Sequence, residues 1–320
     1  MGTTIPVVVG GPTWSSWTQL PGKTTNVSLA ATTLKGFGQL GLALTGTDGV
    51  VYVNILNNGT WQGWTAVPVL PTNIGPCLTQ SQGDGTLYLY AVAENSQVYV
   101  NSTTDGVTWQ DSWSIVSGAE TNYPLCVGTD GNLYLVGLSG HIWVSPNQPS
   151  GTWTRLSVTG GTFPGHSFRT NAGLCMAAWS ILGSVPYLFA KGLDDNKVWY
   201  SGIPSQGLPP DSQGWQEFSG STHVGLAGAQ IPGENFCLFL TGLSGDIYFD
   251  GYTSGSPAEN FSAGWNRLDG FRTNAALAAA GVSSADLADG VALYDIYVFG
   301  KGVVAGDVQY IVGQWAFAEQ

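Results

Sequence analysis

Residues 47–73 read TDGVVYVNILNNGTWQGWTAVPVLPTN, and three features of this stretch return along the whole chain. The first is a turn, Asp48-Gly49, leading into a β-branched residue and an aromatic, Val51-Tyr52. It recurs as Asn95-Ser96 before Val98-Tyr99, Ser139-Gly140 before Ile142-Trp143, Asp195-Asn196 before Val198-Trp199, and Ser244-Gly245 before Ile247-Tyr248. A sixth copy, Gly306 before Val308-Gln309, has lost the aromatic. The second feature is Trp64-x-x-Val67, with copies starting at Trp17, Trp113, Trp153, Trp215 and Trp265. The third is Thr72-Asn73, which returns as Thr25-Asn26, Thr121-Asn122, Thr170-Asn171 and Thr273-Asn274, and in altered form as Thr222-His223. From Trp to Asn the offset is nine in four units and eight in a fifth, and it doubles in the unit of Trp153 through an insertion around 160–168. Three anchors kept in order six times define a repeat architecture.

Asp-Gly, Ser-Gly and Asn-containing turns between alternating apolar residues are hairpin signals. Each unit therefore reads as four strands. A small-residue strand follows Thr-Asn, as in Ala30-Ala31-Thr32 or Ala278-Ala279-Ala280. An apolar strand such as Cys237-Leu238-Phe239-Leu240 comes next, then the aromatic strand, then the Trp-x-x-Leu strand. Small residues suit the innermost position of a blade, where strands crowd a central axis. Aromatics suit the widening wedge further out. The expectation is an all-β six-bladed β-propeller, four antiparallel strands per blade, formed by residues 1–320 as a single domain. Trp14 to Leu20 is a fourth strand with no first three before it, whereas the sixth unit reaches Trp315 and stops. The N-terminal strand is therefore predicted to complete the last blade and remove a free edge.

Composition fits that architecture. Only 9% of the residues are charged, against about 25% in an average soluble domain. Twenty-one acidic residues face nine basic ones, a formal net charge of −12. Such a chain repels phosphate backbones, so nucleic acid and anionic membrane surfaces are poor partners. No apolar run has the length to span a bilayer, so membrane insertion is not expected. The first residues lack the basic segment and apolar core of a signal peptide. Cytoplasmic synthesis is the expectation, with any release by a non-classical route. The sequons at Asn26, Asn58, Asn101 and Asn260 would then stay unmodified. Cys77, Cys126 and Cys175 each lie four residues after the Asn of a Thr-Asn pair, a position for small buried residues. Free core thiols are expected rather than disulfides.

The combined pattern resembles the propeller lectins related to tectonins, the Psathyrella velutina lectin and the Photorhabdus lectins. The strings Thr47-Asp48-Gly49-Val50-Val51-Tyr52 and Trp61-Gln62-Gly63-Trp64 carry the likeness, which extends over nearly the whole chain. It implies shallow sugar sites on blade surfaces or between blades. Several larger relatives have seven blades against six here, so no sugar site is transferred residue by residue. Ser102, Gly106, Thr108 and Trp109 also match part of the Ser-x-Asp-x-Gly-x-Thr-Trp box of sialidase-type propellers, with Thr104 in place of the Asp. That box is a folding element even in the enzymes.

Three sets of residues are candidates for ligand binding. Trp14, Trp61 and Trp109 precede the repeat Trp in three units only. An offset of three along a strand points two rings to opposite faces. With the repeat Trp between blades, Trp14 and Trp61 would face solvent as platforms for a sugar ring. The alternative is packing against a neighbouring blade. Asn26, Asn73, Asn122, Asn171, His223 and Asn274 would ring one mouth of the channel. Their side chains suit sugar hydroxyls and leave calcium open as a ligand; the alternative is a local turn. Arg169 and Arg272 sit in the near copies Phe-Arg-Thr-Asn-Ala, suited to an acidic group on a ligand or to a surface carboxylate.

His141, His166 and His223 have no metal-binding spacing, and no Gly-x-Ser-x-Gly elbow supports a nucleophile. Asp194-Asp195-Asn196 and Asp246 near Asp250 could hold calcium, with hairpin turns as the simpler explanation, and Asp48 and Asp130 in turns likewise read as structural. The leading expectation is a multivalent lectin with glycans or glycoconjugates as partners, no catalytic residue and no required cofactor. Its rivals are a propeller hydrolase or lactonase with a channel-mouth calcium, and a protein-interaction scaffold.

Overall fold

At the tip of every repeat hairpin one residue takes a left-handed backbone: Gly49 (φ 77°), Ser96 (67°), Gly140 (80°), Asn196 (56°), Gly245 (84°) and Gly306 (64°). Gly, Asn or Ser is used because a β-branched side chain is strained there. In five of these turns the carbonyl of that residue accepts the amide of the Thr that leads into the next unit, at 2.8–3.0 Å. The turn thus fastens one repeat to the next. Each of those threonines also accepts, on its hydroxyl, the amide two residues on, as with Val27 onto Thr25 at 3.2 Å and Tyr123 onto Thr121 at 3.0 Å.

The computed structural model describes residues 6–35, 38–81, 83–128, 131–145, 152–156, 168–179, 185–203, 214–231, 235–251, 264–286 and 291–319. His166, Asp130, the sequon at Asn260, most of the insertion at 160–168 and the loop at 204–213 lie outside the described residues. Six antiparallel sheets follow one another. Blade one is Ala30–Thr33, Gln39–Thr45 and Val51–Asn57, with an outer strand in two pieces, Thr60–Trp61 and Thr65–Ala66. Blades two to five start at the inner strands Cys77–Gln80, Cys126–Val127, Cys175–Trp179 and Ala227–Ile231. They end at Ser114–Glu120, Thr154–Arg155, Gln216–Ser221 and Asn266–Arg272. Blade six supplies Ala278–Asp286, Val291–Lys301 and Asp307–Glu319. Its outer strand comes from the other end of the chain: Pro6 pairs with Glu319 and Trp14 with Gly313, then Thr18 with Tyr310. The inner strands touch in a ring that closes between Ala278–Asp286 and Ala30–Thr33. The chain is a six-bladed β-propeller closed by its N-terminal strand.

Six apolar clusters hold the ring, each filling the wedge between two neighbouring blades. Fully buried Phe239 and Phe299 belong to two of them; each such side chain stabilises by about 1.5–3 kcal/mol. At the axis, small residues are obligatory. A Cβ on Gly75 would lie 2.6 Å from the carbonyl oxygen of Ser28, and one on Gly225 2.7 Å from that of Gly173. Cys77, Cys126, Cys175 and Cys237 are free and buried. Burial pushes the thiols of Cys77 and Cys175 up to about 12, so they stay protonated. Among the described residues no helix is long and apolar enough to cross a membrane.

The repeat tryptophan latches the outer strands. Trp64 Nε1 donates to Pro21 O at 3.0 Å, Trp113 to Pro68 O at 2.7 Å and Trp153 to Ser117 O at 3.1 Å. Trp265 reaches Ser219 O at 2.7 Å, and Trp17 reaches Asp269 O at 3.0 Å. In every case the acceptor lies four residues after the Trp of the preceding blade. Trp215 differs: it is buried and stacks on Phe168, centroids 3.9 Å apart.

Candidate functional site

The expectation that Trp14 and Trp61 face solvent is corrected by their surroundings. Trp14 is half-buried between blades five and six, 5.0 Å from Phe249 and 5.5 Å from Trp315 by ring centroids. Trp61 is half-buried against Phe299 at 5.8 Å, and Trp109 is buried between blades one and two. Their Nε1 atoms are buried with no hydrogen-bond partner among the described residues. The reason is local. Strict alternation of faces needs an unbroken strand. The chain leaves the strand between Trp14 and Thr18, and between Trp61 and Thr65 it breaks at Gly63, φ 99°. The packing alternative holds for these indoles, and the rings of the repeat latch are half-buried as well.

Asn26, Asn73, Asn122, Asn171, His223 and Asn274 do come together. All six are exposed, and all six line the central channel, a cavity of 500 Å³. The channel's described lining contains no Asp or Glu. Two of the amides are engaged at Oδ1: Ser96 Oγ donates to Asn122 at 2.6 Å and Lys191 Nζ to Asn171 at 2.5 Å. Lys191 and Lys301 end the second strands of blades four and six and are both buried. Burial holds both ammonium groups below their ordinary range. The mouth is thus an amide collar with one buried ammonium group, Lys191, bonded to it, suited to hydrogen bonding. No group of three or more His, Cys, Asp or Glu that could hold a metal occurs among the described residues.

The two arginine copies differ. Arg272 Nε donates to Asp246 Oδ1 at 2.8 Å. Asp246 therefore serves a surface pairing as well as a turn. Arg169 is exposed and forms no ion pair among the described residues. Asp105 is held by the amides of Val107 and Thr108 at 2.8 and 2.7 Å, which keeps its carboxyl well below the usual range. The partial box around it works as a turn lock.

A cleft between blades one and two went unseen in the sequence. Its volume is 540 Å³, and Val53, Ile55 and Leu87 supply an apolar wall. Gln39, Asn57, Gln62 and Gln80 set carboxamides around it, with Lys35 and Asp105 also in the lining. These side chains come from the turns and outer ends of two repeats, and as a set they recur in no other unit. Periodicity selects what all blades share and so passes over them.

The fold and these two recesses define a propeller with polar, hydroxyl-compatible cavities on its axis and between blades. Solved structures of similar architecture include the fucose-specific lectin from Aleuria aurantia, 16% identical, covering 93% of this chain and 97% of that one, TM-score 0.59. A mutant of AofleA from Arthrobotrys oligospora is 12% identical over 94% of this chain and 86% of its own, TM-score 0.61. A protein of unknown function from Dyadobacter fermentans is 13% identical over 98% and 100%, TM-score 0.60. These likenesses are in the fold. No protein-family model and no curated protein matches the chain.

Proposed function

We propose that this propeller is a carbohydrate-binding protein of the tectonin-like kind, recognising glycans at shallow sites on and between its blades without catalysing a reaction. The observation that carries the reading is the cleft between blades one and two. Carboxamides both donate and accept, as sugar hydroxyls do, and an apolar wall accommodates the C–H face of a pyranose ring. That the Aleuria aurantia propeller is a fucose-specific lectin supports the class, not the sugar. A single shallow site is weak, and several on one rigid ring gain avidity on glycan-bearing surfaces. A broad glycan array, run with calcium and with chelator, tests this. Selective binding to one terminal sugar is expected, weakened several-fold by Asn57→Ala or Gln62→Ala. The reading calls for no cofactor, so chelation is expected to change nothing; a loss on chelation would assign calcium to the site.

A second reading rests on the hairpin tips of blades three, five and six, where Leu138, Leu243, Val303 and Val304 are exposed. Apolar tips on one face suit a protein partner. An array with no binding under either condition would favour that scaffold reading.

A further inference from the structure

Two blades carry the same pair of arginines, and only one carries the carboxylate that the pair holds. In blade five the residue after the hairpin turn is Asp246. Its Oδ1 accepts Arg272 Nε at 2.8 Å and Arg267 Nη2 at 3.1 Å, and its Oδ2 accepts Ser244 Oγ at 2.7 Å. Ser244 and the two guanidinium groups hold this carboxyl below the usual range. The arrangement is a charge-assisted cradle for two oxygens of one anion.

Blade three repeats the frame with one change. Arg155 stands two residues after its Trp, as Arg267 does, and Arg169 stands just before its Thr-Asn, as Arg272 does. The position of Asp246 is taken by His141. Arg155 Nη2 donates to His141 Nδ1 at 3.0 Å. A guanidinium only donates, so Nδ1 carries no proton and the ring is neutral, with its proton on Nε2. Burial, then Arg155 and Arg169, hold the imidazole below its ordinary range, and its contact with the Phe168 backbone opposes them. The blade therefore presents two guanidinium charges with no acid between them. Neither Arg155 nor Arg169 forms an ion pair among the described residues, and both are exposed. Residues 157–167, which join the outer strand to Arg169, contain no Asp or Glu.

We propose that Arg155 and Arg169, flanking the neutral His141, form a binding site for an anionic oxygen group of an external ligand, in the frame whose blade-five copy holds the Asp246 carboxylate. The group is a carboxylate or a sulfate, since both match the forked donors of arginine. The chain has a net charge of −12, yet these two guanidinium groups have no ion-pair partner among the described residues. The site does not depend on the cleft between blades one and two.

The test is calorimetric titration of the full chain with sodium glucuronate, with sodium sulfate and with glucose, at constant ionic strength. Saturable binding of at least one anion is expected, with no heat from glucose that depends on Arg169. Glucuronate alone would point to an acidic sugar, sulfate alone to a sulfated ligand. Arg169→Gln and His141→Asp should each weaken the anion about tenfold or more, the second by restoring the internal carboxylate, at unchanged far-ultraviolet circular dichroism. Absence of anion binding by the wild-type chain overturns the proposal, and so does undiminished binding by His141→Asp.

Discussion

Asp250 fills a position that other blades give to Asn54, Asn101, Ser145 and Ser201, all buried. Asn54 Oδ1 accepts the amide of Gly63 at 3.0 Å, and Asn101 both accepts from Gln110 N at 3.1 Å and donates to Gln110 O at 3.0 Å. A carboxylate can only accept. Asp250 Oδ2 has no hydrogen-bond partner among the described residues, and burial pushes the carboxyl up to about 6. The folded chain therefore holds this proton more tightly than the unfolded chain does. Stability from this group is full at low pH and falls as pH rises from about 4 through about 6. Asp250→Asn should stabilise the protein by on the order of 2 kcal/mol at pH 7.5 and by much less at pH 4.5. Urea unfolding at both pH values checks this; an equal gain at both would mean the charge is not the cause. Of Asp246 and Asp250 the sequence shows the turn that carries Asp246 but neither its ion pairs with Arg267 and Arg272 nor the burial of Asp250, because both depend on the outer strand and the neighbouring blade.

The outer strand is where one blade meets the next. Gly22, Gly118, Gly220 and Gly270 each lie five residues after a repeat Trp, with φ of 101°, 71°, 111° and 94°. The register shifts beside them, as between Leu20 and Thr24 and between Asp246 and Ile247. The bulge leaves the carbonyl before each glycine unpaired in its own sheet and available to the next blade's indole. Trp113→Phe keeps most of the ring but loses the bond to Pro68 O, so a cost of about 1 kcal/mol is expected. Denaturant unfolding with an unchanged slope would show it, and a variant as stable as the parent would deny the latch any weight. The elements themselves were legible because each follows a local rule: a turn residue with positive φ, a Thr that accepts the amide two places on. The direction of Trp14 and Trp61 was not, because the bulges and breaks before the repeat Trp reset the alternation. The amide-lined cleft was illegible for a different reason: it exists only where the turns of two repeats, Leu34-Lys35 and Thr104 to Val107, meet in space.

Over the whole molecule, every wedge of core is shared by two blades, so no blade is complete alone. The seam between first and last elements is paired along Pro6–Trp14 and Thr18–Thr24, and Trp14 fills part of the wedge beside it. Removing residues 1–14 should lower the melting temperature and expose the edge of Asp307–Glu319 to other copies. Scanning calorimetry with light scattering over a concentration series reads both. Unchanged melting and unchanged size would show that the inner strands alone close the ring.

Pro6 lies opposite Glu319, so both described ends of the chain leave from the same rung of one antiparallel pair. A load applied across those ends acts at right angles to the strands. It meets one rung at a time, as in opening a zip, and never the combined shear resistance of the whole pair. The clasp that completes the ring against heat is, under tension at its ends, the place where the molecule is mechanically softest.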